Sequence, residues 1–192
     1  TDISGHNPNP FFVRSSMGKL VDICAELGMD YPYNSRGIAV ADVDGDGRLD
    51  YALANQWEPS YFFKNDSEQA KASSFLGLHL LLPVGDERPA FSVHDGHPTA
   101  ETPGRPAIGA CAEVAIGPGK VMRDQVDGGS GHAGRSSPQI HMGLGSLPSD
   151  QPVPVTILWR DAHGHVQRHI ISLMPGWHTV VLGTVQDKLS MK

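Results

Sequence analysis

The nine residues from Asp42 to Asp50 constrain this chain more than any other part of its sequence. They read Asp-Val-Asp-Gly-Asp-Gly-Arg-Leu-Asp, so carboxylates stand at every second position and once more four residues later. Carboxylates this close repel one another, and a folded chain tolerates them when a cation lies between them. The two glycines allow the backbone to wrap around such an ion. The run therefore predicts a metal-binding loop.

The expected ligands of this loop are all oxygen atoms, which favours a hard cation. Calcium accepts a flexible, high coordination number, whereas magnesium requires a tighter octahedron. We therefore predict a calcium site with side-chain oxygens from four aspartates and a main-chain carbonyl from one arginine: Asp42, Asp44, Asp46, Asp50 and Arg48. The alternative is an acidic Asp-Gly turn that is simply exposed to solvent.

The residues on either side of the loop indicate a β-hairpin and exclude an EF-hand. An EF-hand requires a bidentate Glu at its twelfth position, and the twelfth residue counted from Asp42 is Leu53. The segment 37–41 before the loop is apolar, and Leu49, Tyr51 and Leu53 alternate after it. We expect two short strands joined by the loop, so that the metal clamps a hairpin.

The segment RGIAVADVDGDGRLDYALAN, residues 36–55, resembles the calcium-binding FG-GAP/VCBS repeat of integrin-like β-propellers. In that repeat the same aspartate loop joins the first two strands of a propeller blade. The following YFFKND, residues 61–66, is similar to the strand that closes such a blade. The resemblance implies a blade-like unit with bound calcium.

The second half of the chain resembles the ASPIC/UnbV domain. The similarity is carried by FLGLHLLLP at 75–83, RPAIGACAEVAIG at 105–117 and QVDGGSGHAGRSSPQIHMGLGS at 125–146. This domain follows FG-GAP repeats in secreted proteins of the cartilage acidic protein type and in their bacterial relatives. The resemblance implies an extracytoplasmic location, either periplasmic or secreted.

We predict an all-β chain: a partial β-propeller-like blade with a calcium-loop hairpin, followed by a small β-sandwich or barrel domain. The expected parts are an extended arm at 1–10, an FG-GAP/VCBS-like repeat at 11–66 and an ASPIC/UnbV-like β domain at 75–185. A propeller needs several blades, yet the chain has one calcium loop. It is then a fragment of a longer propeller, or its blade packs on its own downstream domain, or another subunit covers the blade. We favour the last two readings.

The charge and hydropathy of the chain narrow the classes of partner. The net charge is −6, so there is no basic field for nucleic acid. No apolar run is long enough for a transmembrane segment. We predict a non-catalytic calcium-binding interaction module or accessory subunit that binds other protein subunits, including peripherally on a membrane-bound complex. The alternative is the C-terminal part of a calcium-dependent enzyme, such as a biosynthetic cyclase or a carbohydrate-active protein.

Four further groups of residues are candidate sites, and none yields a predicted catalytic residue. Ser130 lies in Gly-Ser-Gly-His, but a nucleophile elbow needs Gly two residues after the Ser, and His132 is there instead. The ten histidines show no recognised zinc spacing, so we expect surface histidines. Cys24 and Cys111 are either bridged or free thiols, and Trp159 and Trp177 are expected to fill the core.

Overall fold

A computed structural model describes residues 7–68, 73–85, 89–102, 104–129, 136–145 and 147–184. The described residues form fourteen β-strands, which confirms the predicted all-β class. Their contacts divide the chain into two compact units. The first unit contains the residues up to Ala41 and Leu49–Lys64, and the second contains Asp42–Arg48 and nearly all described residues after Lys64. The loop 42–48 is therefore counted with the second unit.

The first unit consists of two small antiparallel sheets. A hairpin of two strands precedes a three-stranded sheet in the order β3-β4-β5. The register pairs Ala41 with Asp50, so the aspartate loop joins β3 to β4 as the sequence predicts. The strands are β1 (Phe12–Arg14), β2 (Leu20–Asp22), β3 (Ser35–Ala41), β4 (Asp50–Asn55) and β5 (Tyr61–Phe63).

The second unit contains two larger sheets. One has the strand order β11-β6-β14-β7, with β8 paired to β6, and the other has the order β10-β9-β12-β13. The β6 and β14 strands run parallel to each other, and all other pairs are antiparallel. The strands are β6 (Ser74–Leu82), β7 (Ser92–Asp95), β8 (Arg105–Pro106), β9 (Cys111–Gly117), β10 (Lys120–Gln125), β11 (Ile140–Gly145), β12 (Val153–Arg160), β13 (Val166–Leu173) and β14 (Gly176–Val181).

Both sheets of the second unit contribute to one hydrophobic core. Leu76, Leu78 and Leu80 are fully buried on one face of β6, at the spacing of two that a strand imposes. Val155 and Ile157 of β12 belong to the same cluster. Trp159 is also part of this cluster, as predicted from the sequence.

Two expectations about the second half need correction. The Pro, Gly and His content of the segment 84–106 predicts a long loop, but the segment contains β7 and β8. These strands are short, and the pairing that holds β7 comes from β14, which lies far away in the sequence. In addition, both strand orders are open paths among the described strands, so these strands do not form the barrel alternative.

Candidate metal site

Asp42, the first residue of the aspartate loop, is buried and fixed by three N–H donors. The main-chain N–H of Asp46 donates to Asp42 Oδ1 over 3.0 Å. Asp42 Oδ2 accepts from the main-chain N–H of Gly47 and from the indole Nε1–H of Trp177, each over 2.8 Å. Hydrogen bonds to an ionised acceptor are stronger than neutral ones, so this carboxylate has a defined orientation.

Three carboxylates of the loop converge. Asp42, Asp44 and Asp50 each offer a ligand oxygen, and these oxygens lie within 4.8 Å of one another. Asp42 and Asp50 are buried, with 8% and 2% of their surface exposed, whereas Asp44 is exposed. A set of oxygen donors with one open side fits calcium, which binds carboxylates together with water. The residues present therefore fit the predicted ion.

Asp46 and Arg48 make other contacts. The Arg48 main-chain N–H donates to Asp46 Oδ1 over 2.9 Å, and the Arg48 guanidinium forms an ion pair with Asp46 Oδ2. The same guanidinium lies 3.8 Å from Asp66 Oδ1. The structure thus groups Asp42 with Asp44 and Asp50, and places Asp46 with Arg48. A ligand role for Asp46 and for the Arg48 carbonyl stays a prediction.

The loop lies against a group of five rings, called here the ring cluster: Phe75, His79, His97, His141 and Trp177. His141 of β11 and Trp177 of β14 both pair with Gly77 of β6, so the three residues form one row across adjacent strands. Gly77 is needed in the middle of this row, since a Cβ there would overlap the indole of Trp177. The ring cluster occupies the face of β6 opposite the leucines of the core.

The rings pack closely on one another. The Phe75 and His141 rings are stacked, with centroids 5.1 Å apart and planes inclined by 6°. The centroid of the Trp177 ring system lies 5.2 Å from that of His79 and 4.8 Å from that of His97. Because each ring limits the movement of its neighbours, the indole that donates to Asp42 has little rotational freedom.

Gly47 brings the loop backbone onto the ring cluster. Its φ is +85°, a left-handed conformation that glycine adopts at little cost, and a Cβ at this position would overlap the Phe75 ring. The Gly47 carbonyl lies 2.9 Å from His141 Nε2. A carbonyl only accepts hydrogen bonds, so His141 carries its proton on Nε2. The left-handed conformation and the nearby Phe75 ring therefore both favour glycine at this position.

His79 and His97 form a second contact within the ring cluster. His79 Nε2 lies 2.9 Å from His97 Nδ1. Burial lowers the pKa of His79 to about 4, and the nearby His97 adds to the effect. His79 is thus a neutral, half-buried ring rather than the surface histidine that was expected. His163 and His165, by contrast, are exposed in the β12–β13 turn.

The ring cluster was not predicted from the sequence as part of the site. Trp177 is buried, as expected, but its indole donates to the loop, and the hydrophobic cluster shared by the two sheets does not include it. The pattern of β6 carries a usable signal: Phe75, Gly77 and His79 alternate with the leucines. A strand with rings on one face and leucines on the other has two packing partners.

The remaining candidates from the sequence are the two cysteines and the Gly-Ser-Gly-His segment. Cys24 and Cys111 are both free thiols. Burial raises the pKa of Cys24, and nearby acidic residues raise it further. Ser130 and His132 lie outside the described residues.

Comparison with known proteins finds a family match in the second half of the chain. A family model described as ASPIC and UnbV matches residues 100–188, a range that includes His141 and Trp177. No curated protein matches the chain. The part of the chain that the structure describes has no helix long and apolar enough to cross a membrane. The FG-GAP/VCBS resemblance of the first half stays a prediction.

Proposed function

We propose that this protein is a calcium-binding extracytoplasmic interaction module that docks onto a larger protein assembly. The observation that carries the proposal is the convergence of the Asp42, Asp44 and Asp50 oxygens within 4.8 Å. Like charges at this separation repel one another, and a divalent cation among them turns that repulsion into attraction. Calcium would be held by these carboxylates and would fix the loop between β3 and β4.

The proposed architecture is a blade-like unit followed by a β-sandwich. The loop joins the first two strands of the β3-β4-β5 sheet, which is the arrangement that the FG-GAP/VCBS resemblance implies. Two open sheets share one core in the second unit, as in a sandwich. The ASPIC and UnbV match of residues 100–188 supports the assignment of this second part. The extracytoplasmic location, periplasmic or secreted, follows from the same resemblance.

The docking role is supported by one face of the β3-β4-β5 sheet. Ala52 pairs with Ala39 on one side and Phe62 on the other, so the three share a face. On this face Ala52 and Ala54 are exposed, and Phe62 is 55% exposed. Small side chains beside one large apolar ring allow another protein layer to approach closely, and exposed apolar surface of this kind marks interaction sites. The proposed partner is another protein subunit.

Calcium binding is tested by thermal unfolding with calcium and with a chelator. A ligand that binds only the folded state at a hundredfold excess over Kd stabilises it by about 2.7 kcal/mol, so chelation should lower the Tm. Asp44→Ala should remove most of this response, because it deletes one of the three converging carboxylates. Asp150→Ala, which removes an exposed carboxylate outside the loop, should keep it. An unchanged Tm in the unsubstituted protein would overturn the calcium proposal.

Docking is tested by native mass spectrometry of the protein isolated from its source. We expect a complex with another protein subunit and its loss in Phe62→Ser, while calcium binding and the melting temperature of Phe62→Ser stay unchanged. The matched control is Val121→Ser, which removes an exposed apolar side chain of β10 in the other unit. A free monomer from the source, or a complex that tolerates Phe62→Ser, contradicts docking through this face.

A further inference from the structure

We infer that Trp177 is a positioning residue for the calcium loop: its indole N–H orients the Asp42 carboxylate so that Oδ1 faces the ion. This inference rests on the proposed function, since it assigns a residue to the same metal site. It also extends that site from the aspartate loop into the part of the chain matched by the ASPIC and UnbV family. The loop alone would then be an incomplete site.

The orientation follows from the acceptors of Asp42. Its Oδ2 already accepts two hydrogen bonds, one from Gly47 and one from Trp177, whereas Oδ1 accepts one from Asp46. A carboxylate oxygen has two lone pairs in its plane. The remaining acceptor site of Asp42 is therefore on Oδ1, and the indole N–H is one of the two donors that leave it there.

The surroundings of Trp177 are those of a fixed donor. Its side chain is buried, with 8% of the residue exposed, and Gly77 makes room for the indole on the neighbouring strand. His97 and His141 pack beside the ring system, with centroids 4.8 and 5.8 Å away. A donor held in this way restricts the orientation of the Asp42 carboxylate. Because the donor is already ordered, ion binding does not have to offset the entropy cost of ordering it.

Trp177 also connects the proposed metal to the five-stranded sheet of the second unit. It lies in β14, which pairs with β6 on one side and with β7 on the other. A shift in the position of the Asp42 carboxylate therefore alters the hydrogen bond to β14, a strand inside the five-stranded sheet. We therefore expect calcium to protect β14 amides against hydrogen exchange, in addition to those of the loop.

The decisive experiment is calcium titration calorimetry on the full chain. Trp177→Phe removes the N–H and keeps an aromatic ring, and loss of such a partner of a metal ligand typically weakens metal affinity about 10–100-fold. Trp159→Phe is the matched control, because it alters a buried tryptophan that belongs to the core cluster. It should lower the melting temperature and leave the calcium Kd unchanged.

A second measurement needs no substitution at Trp177. The chain has three tryptophans. In NMR spectra of the chain, variants of Trp57 and Trp159 therefore identify the Trp177 indole N–H signal by elimination. This signal should shift during calcium titration and saturate with the calorimetric Kd.

The outcomes separate the two proposals. An absence of binding heat in the unsubstituted protein overturns the proposed function. If folded Trp177→Phe binds calcium with an unchanged Kd, or if the indole signal does not shift during calcium titration, only the role of Trp177 is overturned. If Trp177→Phe does not fold, the indole signal decides the question by itself.

Discussion

The two units of this chain bury very different amounts of apolar surface. The second unit has a continuous core to which both of its sheets contribute fully buried leucine, valine and isoleucine side chains. In the described part of the first unit, the buried apolar residues are Cys24 and Leu53, while Phe12, Trp57 and Phe62 are more than half exposed. The second unit is built as a self-supporting domain. The first has little apolar core of its own, as expected for the proposed docking onto another subunit.

This contrast explains why the aspartate loop matters. A hairpin or a three-stranded sheet with a small core is marginally stable in water. The proposed metal would fix the turn between β3 and β4 and would supply stability that the apolar side chains do not. The loop also contacts the ring cluster through hydrogen bonds to Asp42 and Gly47. Stability in the two halves therefore has two different sources, packing and proposed metal binding.

The largest expected effect comes from the core of the second unit. Ile157 is fully buried in the cluster shared by both sheets, so Ile157→Ala should cost about 4 kcal/mol of unfolding free energy through lost burial and a cavity. Leu53→Ala in the first unit should cost about 2 kcal/mol, because a small core collapses more easily around the gap. Urea unfolding, monitored by the NMR signals of amides in each unit, measures the loss of unfolding free energy in both variants. Equal costs would remove the contrast between the units.

Gly47→Ala should have the next largest effect, about 3 kcal/mol. The alanine would have to adopt a left-handed φ, and its Cβ would overlap the Phe75 ring. Backbone strain and overpacking therefore both lower the unfolding free energy. Gly119→Ala is the matched control. Gly119 has a φ of +68° and open space around it, so only the strain of about 1 kcal/mol applies there. If the two variants lose the same unfolding free energy, the close contact of the loop with Phe75 does not contribute to stability.

How far the sequence predicts these features depends on the range of the interactions. The nine-residue loop and its two strands are local, and the alternation in β3 and β4 predicted them. The residue patterns of the second half also predict strands at 108–116, 120–126, 139–144, 153–159 and 166–171, and β9 to β13 lie close to these positions. These elements are specified by side chains near them in the chain.

Features that depend on distant partners were missed. The β7 strand is short and polar, and its partner β14 lies more than eighty residues away. The contact of Trp177 with Asp42 spans 135 residues, and a buried tryptophan looks the same in sequence whether it fills a core or supports a loop. Residue patterns predicted the strands, but not which distant surface the loop meets.

A smaller effect concerns pH and the ring cluster. The pKa of His79 is about 4 in the folded state, below its value of about 6.5 in an unfolded chain. Between these two values the unfolded state binds more protons. The stability that His79 contributes is therefore fully present above pH 6.5 and is lost as the pH falls towards 4.

The ring is only half-buried, so the loss should be about 1.5 kcal/mol, well below the full value of the shift. The measurement is urea unfolding at pH 7 and pH 4.5. His79→Gln should reduce the difference between the two conditions, and His163→Gln, in an exposed turn, should leave it unchanged. Identical pH profiles for the parent and His79→Gln would contradict this assignment.

The smallest expected effect is at Trp57, which tests whether the exposed apolar residues of the first unit contribute to its own stability. Trp57 is 86% exposed and has a φ of +64°. Trp57→Gly relieves a left-handed strain of about 1 kcal/mol and increases the chain entropy lost on folding by a similar amount. The unfolding free energy should therefore change by less than about 0.5 kcal/mol. A loss of several kcal/mol would show that the indole packs within the first unit, and the contrast between a self-supporting domain and an incomplete one would then weaken.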